Sequence, residues 1–300
     1  MRIAVIGAGP AGLTAARGLD ADVFEEHEEV GLPRHCTSLV SSAGAEAVGV
    51  PLEVVVRSYS LLTVSNLAGH TLYFKLRRPV YLLDRPGLEL KLAEDVGRIR
   101  LGEQVVAASG NYLRTRRGVR GPYDLVIVAE GFARRFADRL ERVERLPALQ
   151  VDAKVAGRPL EEIVVVYNRG ISRRYFAWVV HIDGEVYRIG LADTSDVPGK
   201  LMRLLKLLRA EPVSKPFGGR VLAGPPHRRL VWGRYVLVGD AAGLTKPLSG
   251  GGIILAMRSG RALNDALRKG DLGSYEDSMR FVRMRLALAR KAYDLMYGRR

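Results

Sequence analysis

The chain contains a single cysteine, Cys36, and no long apolar run. One cysteine cannot form a disulfide within the chain, so the fold has to be stable without that cross-link. No stretch of about 18 apolar residues is present, and therefore no transmembrane helix is expected. Because an apolar strand already begins at residue 3, we expect no signal peptide and a cytoplasmic protein. Peripheral contact with the inner face of a membrane remains open.

Several catalytic and metal-binding patterns are also missing. The five histidines do not form an H-E-x-x-H pair, and no C-x-x-C occurs, so no metal site is expected. The chain has neither a P-loop nor a G-x-S-x-G nucleophile turn. These absences disfavour zinc hydrolases, P-loop NTPases and α/β-hydrolases.

Acidic residues are few relative to basic ones. The chain carries 47 Lys and Arg, mostly arginine, against 32 Asp and Glu, which gives a formal net charge of +15. Such a surface favours polyanions, including anionic membranes, phosphorylated substrates and nucleic acid. Nucleic acid is disfavoured, because the basic residues are scattered and no aromatic platform is interleaved with them. An arginine-rich surface with little Asn, Gln or Cys is equally typical of a thermophilic protein.

The N-terminal segment Gly7-Ala8-Gly9-Pro10-Ala11-Gly12 follows directly on a short apolar run. This is G-x-G-x-x-G at a strand-to-helix junction, the context in which the motif predicts dinucleotide binding. The first glycine permits a tight turn, the second lets the backbone approach a pyrophosphate, and the third allows close packing of helix on strand. The N-terminus of the helix would direct its amides at the phosphates.

An acidic residue follows at the expected distance. The segment Asp22-Val23-Phe24-Glu25 is typical of a second strand that ends in a carboxylate. Glu25 is suitably spaced to accept hydrogen bonds from ribose hydroxyls, and Glu26 is the neighbouring candidate. The alternative is a solvated acidic turn.

The order of apolar runs predicts a discontinuous α/β lobe. Continuous apolar runs at 125–129, directly after Asp124, and at 235–238 are typical of buried parallel strands. Between them, segments 175–181 and 186–192 flank Asp183-Gly184, which indicates a hairpin and an antiparallel sheet. We predict an FAD-binding lobe of 1–50, 84–135 and 226–270, a substrate lobe of 51–83 and 136–225, and a C-terminal helix over 271–300.

Three separated segments resemble one family of flavoenzymes. They are GAGPAG with Glu25, the segment Ala129-Glu130-Gly131, and Gly239–Gly243 followed by Lys246–Ile253. Together they resemble FAD-dependent oxidoreductases of the aromatic-hydroxylase superfamily, and within it geranylgeranyl reductases. The loop Gly31-x-Pro33-x-x-Cys36 is similar to a cysteine-bearing loop of those reductases, and Ala177-Trp178-Val179 resembles part of their aromatic motif. The implied fold is a Rossmann-like FAD-binding lobe with an inserted antiparallel β substrate lobe.

The resemblance also implies roles for particular residues. Cys36 and Trp178 are the expected catalytic residues. The expected FAD-binding set is Gly7, Ala8, Gly9, Pro10, Ala11, Gly12, Glu25, Glu26, Arg34, Cys36, Thr37, Arg85, Val105, Ala129, Gly131, Gly239, Asp240, Gly251, Gly252 and Ile253. The expected walls of the substrate pocket are Tyr175, Phe176, Trp178 and Val180, for which burial in the hydrophobic core is the alternative. The chain departs from the family pattern at Glu130, where an aspartate is usual, and around Trp178.

The implied function is reduction of carbon–carbon double bonds in a prenyl lipid, with hydride delivered from flavin N5. A flavin monooxygenase or another FAD oxidoreductase acting on a small apolar or aromatic molecule is the first alternative. A flavin-binding electron carrier without substrate chemistry is the second. The sequence does not show the electron donor, for which ferredoxin and NAD(P)H are the candidates. Because a second nucleotide site for NAD(P)H is not evident, ferredoxin or another carrier stays open.

Two basic segments have apolar stripes. Lys200 to Arg209 interleave with leucines, and the C-terminal helix repeats apolar residues from Tyr275 to Met296 at spacings of four and three. A basic amphipathic helix can lie on an anionic membrane, whereas packing on its own domain is the commoner fate of such a stripe.

Overall fold

The structure is a computed structural model that describes residues 1–156 and 163–298. The chain divides into two compact units. Unit 1 comprises Met1–Pro33, Asp84–Glu144 and Leu222–Tyr293. Unit 2 comprises Arg34–Leu83, Arg145–Val221 and Asp294–Arg300, of which residues 157–162 and 299–300 are not described.

The described strands, in chain order, are β1 (Ile3–Ile6), β2 (Ala21–Phe24), β3 (Leu39–Ser41), β4 (Val55–Ser65), β5 (Thr71–Leu83), β6 (Arg98–Arg100), β7 (Val105–Ser109), β8 (Tyr112–Thr115), β9 (Gly118–Arg120), β10 (Leu125–Val128), β11 (Glu144–Val155), β12 (Ile163–Val166), β13 (Ala177–Asp183), β14 (Val186–Ala192), β15 (Ala210–Pro212), β16 (Phe217–Gly224), β17 (Val231–Trp232) and β18 (Tyr235–Leu237). The described α-helices are α1 (Pro10–Ala16), α2 (Ser42–Val48), α3 (Arg85–Ala93), α4 (Ala137–Leu140), α5 (Val197–Leu207), α6 (Ile253–Lys269) and α7 (Leu272–Tyr297). Short 3₁₀ turns occupy Leu52–Val54, Gly131–Ala133 and Gly239–Ala242.

The central sheet of unit 1 has the strand order β17-β18-β10-β1-β2-β6. Strands β18, β10, β1, β2 and β6 are parallel, and β17 pairs antiparallel with β18. All residues of β1, β2 and β10 are buried, and all of them are apolar except Asp22 of β2, which accepts a hydrogen bond from the Tyr123 hydroxyl. Because β18, β10 and β1 are neighbours, the loops that follow them leave the sheet at one edge.

Helices α1 and α6 pack closely within unit 1. A Cβ on Gly260 of α6 would lie 2.6 Å from the backbone oxygen of Ala11, so only glycine allows this approach. Asn264 donates from Nδ2 to the backbone oxygens of Ala15 and Arg17 at 2.9 and 2.8 Å. These bonds tie the carboxyl end of α1 to α6. Strands β7, β8 and β9 form a separate three-stranded sheet.

Unit 2 is built on a mostly antiparallel sheet of nine strands among the described residues. Its order is β15-β11-β14-β13-β12-β4-β5-β3, and β16 also pairs with β11. The predicted hairpin is present, since β13 and β14 pair antiparallel on either side of Gly184, whose φ is +50°. Strands β12 and β4 pair in parallel.

Both basic amphipathic segments pack on their own units. Leu201, Leu204 and Leu205 of α5 are buried in the core of unit 2. In α7, the buried stripe residues are Tyr275, Met279, Val282, Leu286 and Tyr293. The buried residues of both stripes are thus covered by protein, whereas Leu207 of α5 and Met296 of α7 are exposed. Peripheral contact with a membrane stays a prediction. None of the helices in the part of the chain that the structure describes has the length and apolar character needed to cross a bilayer.

The predicted fold class is confirmed, with differences in the boundaries of the lobes. Residues 34–50, predicted for the FAD-binding lobe, cluster with unit 2. Residues 271–293, predicted as a separate helix, cluster with unit 1.

Candidate functional site

The loop after β1 has the geometry that its glycines predict. Gly7 has φ +104°, and a Cβ there would lie 2.5 Å from the backbone oxygen of Ala129. A Cβ on Gly12 would lie 2.0 Å from the backbone oxygen of Gly7. Both glycines are therefore required by the fold itself. Pro10, at the first helical position, begins α1 directly after this turn.

Gly9 differs from these two. Its backbone is extended, with φ −81° and ψ −178°, and a Cβ there would meet nothing within 4 Å. No contact within the described residues and no backbone constraint demands glycine at this position. The open space above Gly9 therefore fits close approach of a ligand to the backbone.

Glu25 at the end of β2 is held by the same loop. Its Oε2 accepts from the backbone nitrogen of Ala8 at 2.8 Å. Its Oε1 accepts from the backbone nitrogen of His27 at 3.0 Å and lies 2.6 Å from His27 Nδ1. The carboxylate is thus fixed beside the glycine turn, where a dinucleotide-binding loop requires an acid.

Glu26 has a different setting. Its carboxylate accepts a hydrogen bond from the side-chain amide of Gln104, and it lies 3.1 Å from Arg135 Nη2. Glu26 is therefore engaged with charged and polar side chains of unit 1, whereas Glu25 contacts the glycine loop itself.

The second glycine turn, Gly239–Ala242, converges on α1. A Cβ on Gly239 would lie 2.8 Å from the Cβ of Ala11, and the Gly239 nitrogen donates to Ser259 Oγ of α6 at 2.9 Å. Asp240 accepts at Oδ1 from Thr245 Oγ1 at 2.6 Å. A Cβ on Gly252, just before α6, would lie 2.9 Å from that Asp240 Oδ1.

The Asp240 carboxyl has an unusual electrostatic environment. Burial raises its pKa, and the hydrogen bond from Thr245 and the positive charges of Arg85 and Arg134 oppose that shift. Arg85 itself forms an ion pair with the buried Glu89. A carboxyl group that loses its hydration on folding is stabilised when a ligand hydroxyl replaces a lost hydrogen bond to water. Asp240 is therefore a candidate ligand contact.

A fully buried arginine holds this turn from behind. Arg134 has a relative exposure of 0%, and its Nη1 donates to the backbone oxygens of Asp240 and Ala241 at 2.5 and 2.7 Å. Its Nε donates to Asp138 Oδ1 at 2.7 Å, which supplies a compensating negative charge. Sequence analysis missed Arg134, since its neighbours along the chain give no indication that it is buried.

His227 completes the arginine cluster. Its Nε2 lies 2.6 Å from Arg134 Nη2, so the neutral ring accepts from the guanidinium. Arg134 also donates to the backbone oxygen of Glu141 at 3.0 Å. Burial, reinforced by the adjacent Arg134 charge, lowers the pKa of His227 to about 4.

The segment Ala129-Glu130-Gly131 lies at the same sheet edge. The carboxylate of Glu130 accepts from the backbone nitrogens of Phe136 and Ala137 at 2.9 and 2.8 Å. Burial raises the pKa of Glu130, although these backbone bonds oppose the shift. Glu130 therefore binds backbone that follows it in the chain. Val105 is buried at the first position of β7.

Several other predicted residues lie in unit 2, where one glutamine links two of them. The buried Gln150 accepts at Oε1 from Thr37 Oγ1 at 2.8 Å and from Trp178 Nε1 at 3.1 Å. Its Nε2 donates to the backbone oxygen of His35 at 3.3 Å. Gly190 makes room for this arrangement, because a Cβ there would lie 2.5 Å from Gln150 and 2.6 Å from Trp178. Sequence analysis missed Gln150.

Cys36 lies in the loop that Gln150 anchors. Its thiol is partly exposed, and Sγ accepts from the Ser38 nitrogen at 3.2 Å. Ser38 has φ +70°, which places this loop in a constrained left-handed turn. Arg34, at the beginning of unit 2, is exposed.

The four residues predicted to line the substrate pocket are buried in unit 2. Tyr175 stacks on Phe176 with ring centroids 4.3 Å apart, and Phe176 meets Trp178 edge-on at 6.2 Å. Trp178 is 9% exposed and Val180 is fully buried. The structure therefore brings three of the four into one aromatic cluster, at the end of β13 next to Gln150.

Comparison with curated proteins identifies reductases. Digeranylgeranylglycerophospholipid reductase 1 of Methanothermobacter thermautotrophicus is 27% identical, over 91% of this chain and 81% of its own length. Geranylgeranyl diphosphate reductase of Synechocystis is 25% identical, over 87% of this chain and 74% of its own length. No protein-family model matches the chain.

Solved structures share the fold. A geranylgeranyl bacteriochlorophyll reductase-like protein of Thermoplasma acidophilum has a TM-score of 0.82 at 18% identity and covers 99% of this chain and 88% of its own. A probable FAD-dependent monooxygenase of Pseudomonas aeruginosa has a TM-score of 0.70 at 20% identity and covers 98% and 93%. The resemblance to geranylgeranyl reductases and the prediction of an oxidoreductase enzyme are confirmed. A flavin-dependent brominase and a flavin-dependent halogenase also share the fold, with TM-scores of 0.71 and 0.66 at 14% and 18% identity.

The low pKa of His227 predicts a specific pH dependence of stability. Since the folded-state value of about 4 lies below the ordinary 6.5, the unfolded chain takes up the proton first. The neutral His227 ring therefore stabilises the folded state. Its contribution to the free energy of unfolding is fully present above pH 6.5, and about 3 kcal/mol of it is lost as the pH falls to 4. Chemical denaturation at pH 7, 5.5 and 4.5 measures the loss.

His227→Gln should remove this part of the pH dependence, because glutamine cannot titrate while its side-chain oxygen can still accept from Arg134. The matched control is His70→Gln, at an exposed histidine. An unchanged pH profile for His227→Gln would contradict the assignment.

Loss of Gln150 should release the cysteine loop. Gln150→Leu removes the partner of Thr37 and the donor to His35, and two bonds at about 1 kcal/mol each make the open loop about thirtyfold more populated. Because Cys36 is the single cysteine, its reaction rate with a disulfide reagent reports this opening directly.

The matched control is Gln104→Leu in unit 1, which should react with the reagent at the wild-type rate. Global stability is measured alongside, so that a general loss of folding is recognised. Unchanged thiol reactivity in a folded Gln150→Leu variant would show that Gln150 does not anchor the loop.

Proposed function

We propose that the chain is an FAD-dependent oxidoreductase that reduces carbon–carbon double bonds of a prenyl lipid of the geranylgeranyl class. The observation that carries the proposal is the convergence of two glycine turns, at Gly7–Gly12 and Gly239–Ala242, on the start of α1. The names of the curated relatives, which are reductases of geranylgeranyl compounds, support the substrate class.

The adenosine and pyrophosphate half of FAD fits the first turn. The space above Gly9 admits a pyrophosphate, and the first-turn amides of α1 lie outside its internal hydrogen-bond ladder. Glu25, fixed by Ala8 and His27, is the acceptor for the ribose hydroxyls. Val105 and the exposed Arg34 remain proposed contacts from the family resemblance, as does Glu26.

The flavin half fits the second turn. The Asp240 carboxylate is the proposed hydrogen-bond acceptor for the ribityl or pyrophosphate region of FAD. This hydrogen bond would offset the free-energy cost of burying the carboxylate. Gly251, Gly252 and Ile253 lead into α6, whose N-terminal dipole favours negative charge on the reduced ring. Ala129, Gly131 and Arg85 lie in the same unit and complete the proposed set.

When bound in its reduced form, FAD supplies a hydride from N5 to one alkene carbon. The second alkene carbon takes a proton, for which the Cys36 thiol or a water is the proposed donor. Trp178, Phe176 and Tyr175 supply apolar surface for the prenyl chain, and Gln150 holds the Trp178 ring in position. Ferredoxin or NAD(P)H restores the two electrons.

Gly9→Val tests the cofactor site. A valine at an extended position with no neighbour within 4 Å should leave the free energy of unfolding of the apoprotein within about 1 kcal/mol of wild type. The side chain would occupy the pyrophosphate space, so flavin affinity should fall by more than about tenfold. Absorbance of the purified protein and flavin titration of the apoprotein measure this.

Gly97→Val is the control, since Gly97 is exposed and a Cβ there also meets nothing within 4 Å. It should retain flavin. Full flavin binding by a folded Gly9→Val variant would overturn the proposed site.

The reaction is tested with the reduced holoprotein under anaerobic conditions. Adding a geranylgeranyl lipid should reoxidise the flavin absorbance and yield a product heavier by two hydrogens per reduced double bond. The fully saturated lipid is the control and should leave the flavin reduced. Reoxidation by oxygen alone, with no reduced lipid, would exclude the reductase and favour the monooxygenase alternative.

A further inference from the structure

Helix α7 carries a second apolar stripe, on the side opposite to the buried one. Phe281, Met284 and Leu288 are 59%, 59% and 67% exposed, and we call these three residues the outer stripe. Their spacings are three and four residues, so they share one side of the helix. The buried residues of α7, such as Val282 and Leu286, lie about half a turn away. The helix therefore packs on unit 1 with one stripe and exposes the other.

The same segment of α7 is strongly basic. Residues 280–291 contain five basic residues and no acidic residue. Two of the five are only slightly exposed and have acidic partners within unit 1. Arg283 forms an ion pair with Glu276 at 2.7 Å, and Arg290 forms one with Glu144 at 2.6 Å. The acidic partners of this segment are thus used on its inner side.

The other three basic residues, Arg280, Arg285 and Lys291, are exposed and flank the outer stripe. At 3.6 residues per turn, Arg280 and Lys291 lie on one side of the stripe and Arg285 lies on the other. Arg280 is 3.5 Å from the exposed Asp277, a pair that solvent screens. Neither Arg285 nor Lys291 forms an ion pair within the described part of the chain. Positive charge therefore borders the outer stripe on both sides.

These charges distinguish between the surfaces that could cover the outer stripe. Two copies of the chain that pair through it would bring the same exposed basic residues together, and like charges across an interface are unfavourable. An anionic bilayer instead attracts them, and the net charge of +15 acts in the same direction. A basic amphipathic helix lies in the plane of such a bilayer with its apolar side chains below the headgroups.

We propose that the outer stripe of α7 and its three flanking basic residues form the surface by which the chain binds an anionic lipid bilayer. The three apolar side chains enter the boundary between headgroups and acyl chains. The basic side chains remain at the level of the headgroups. Peripheral membrane contact is thereby assigned to one side of one helix in unit 1. The assignment does not depend on the flavin or on the proposed reduction.

The first test is cosedimentation of the purified chain with lipid vesicles. Vesicles of phosphatidylcholine with about one-third phosphatidylglycerol should bind the chain at least about tenfold more tightly than pure phosphatidylcholine does. Salt at about 0.5 M should weaken this binding, because it screens the exposed charges. No binding to the anionic vesicles would overturn the proposal.

A pair of double variants separates a located surface from attraction by net charge alone. Each basic residue near an anionic surface contributes about fivefold to binding, so Arg285→Gln with Lys291→Gln should weaken it about twentyfold or more. The control, Arg114→Gln with Arg116→Gln, removes two exposed charges elsewhere in unit 1 and should bind nearly as wild type does. Equal losses in the two double variants would overturn the assignment to α7.

A second pair of variants tests entry of the apolar side chains. Leu288→Ser should weaken binding to the anionic vesicles about five- to tenfold, because the leucine no longer leaves water. The matched control is Leu90→Ser, at a leucine of α3 that is 55% exposed, and it should bind as wild type does. Thermal unfolding confirms that both variants are folded. Unchanged binding of Leu288→Ser would show that the outer stripe does not enter the bilayer.

Two further measurements address other occupants of the outer stripe. A dimer in lipid-free solution that Leu288→Ser dissociates would assign the stripe to a second copy and overturn the proposal. Tighter binding to soluble poly-glutamate than to anionic vesicles, weakened by Leu288→Ser, would assign it to an acidic protein and overturn the proposal as well. Failure of the proposed function is distinguishable, because it appears as loss of flavin or of lipid reduction in detergent, and vesicle binding requires neither.

Discussion

The candidate cofactor site depends on one constraint, the parallel alignment of three neighbouring strands. Strands β18, β10 and β1 end at one edge of the sheet, so the turns after them must share the space around the start of α1. There is no room for side chains where these turns meet. A Cβ on Gly12, Gly7 or Gly239 would lie 2.0 to 2.8 Å from an atom of a neighbouring turn or helix. Gly9 is different, because its open side is left for a ligand.

Buried charge stabilises this crowded edge. Arg134 donates to the two backbone oxygens of the Asp240 turn, and Asp138 balances its charge. The neutral His227 ring accepts from the same guanidinium, which couples the geometry of the turn to pH. Removing one partner from such a group leaves an uncompensated buried charge, a larger penalty than loss of the bond alone. The turn that presents Asp240 is thus held in place before any cofactor binds.

The sheet of unit 2 offers two chemically different faces. On one face, Gln150 joins Trp178 to the loop that carries Cys36, next to a stacked aromatic cluster. On the other face, α5 covers part of the sheet, and an apolar cavity lies over another part. Alternation of side chains along each strand keeps these faces separate.

Local patterns in the sequence determined the strand–turn–helix at residues 3–16, the parallel strands and the hairpin around Gly184. Each is dictated by steric limits on the backbone or by unbroken burial, which act over a few residues. The family resemblance likewise rested on short glycine-rich segments. Tertiary structure alone decided the roles of Arg134, His227 and Gln150, which have partners far away in the chain. No periodic pattern in the sequence predicts that a single polar side chain is buried. The residues that surround such a side chain belong to other segments, which only folding brings together.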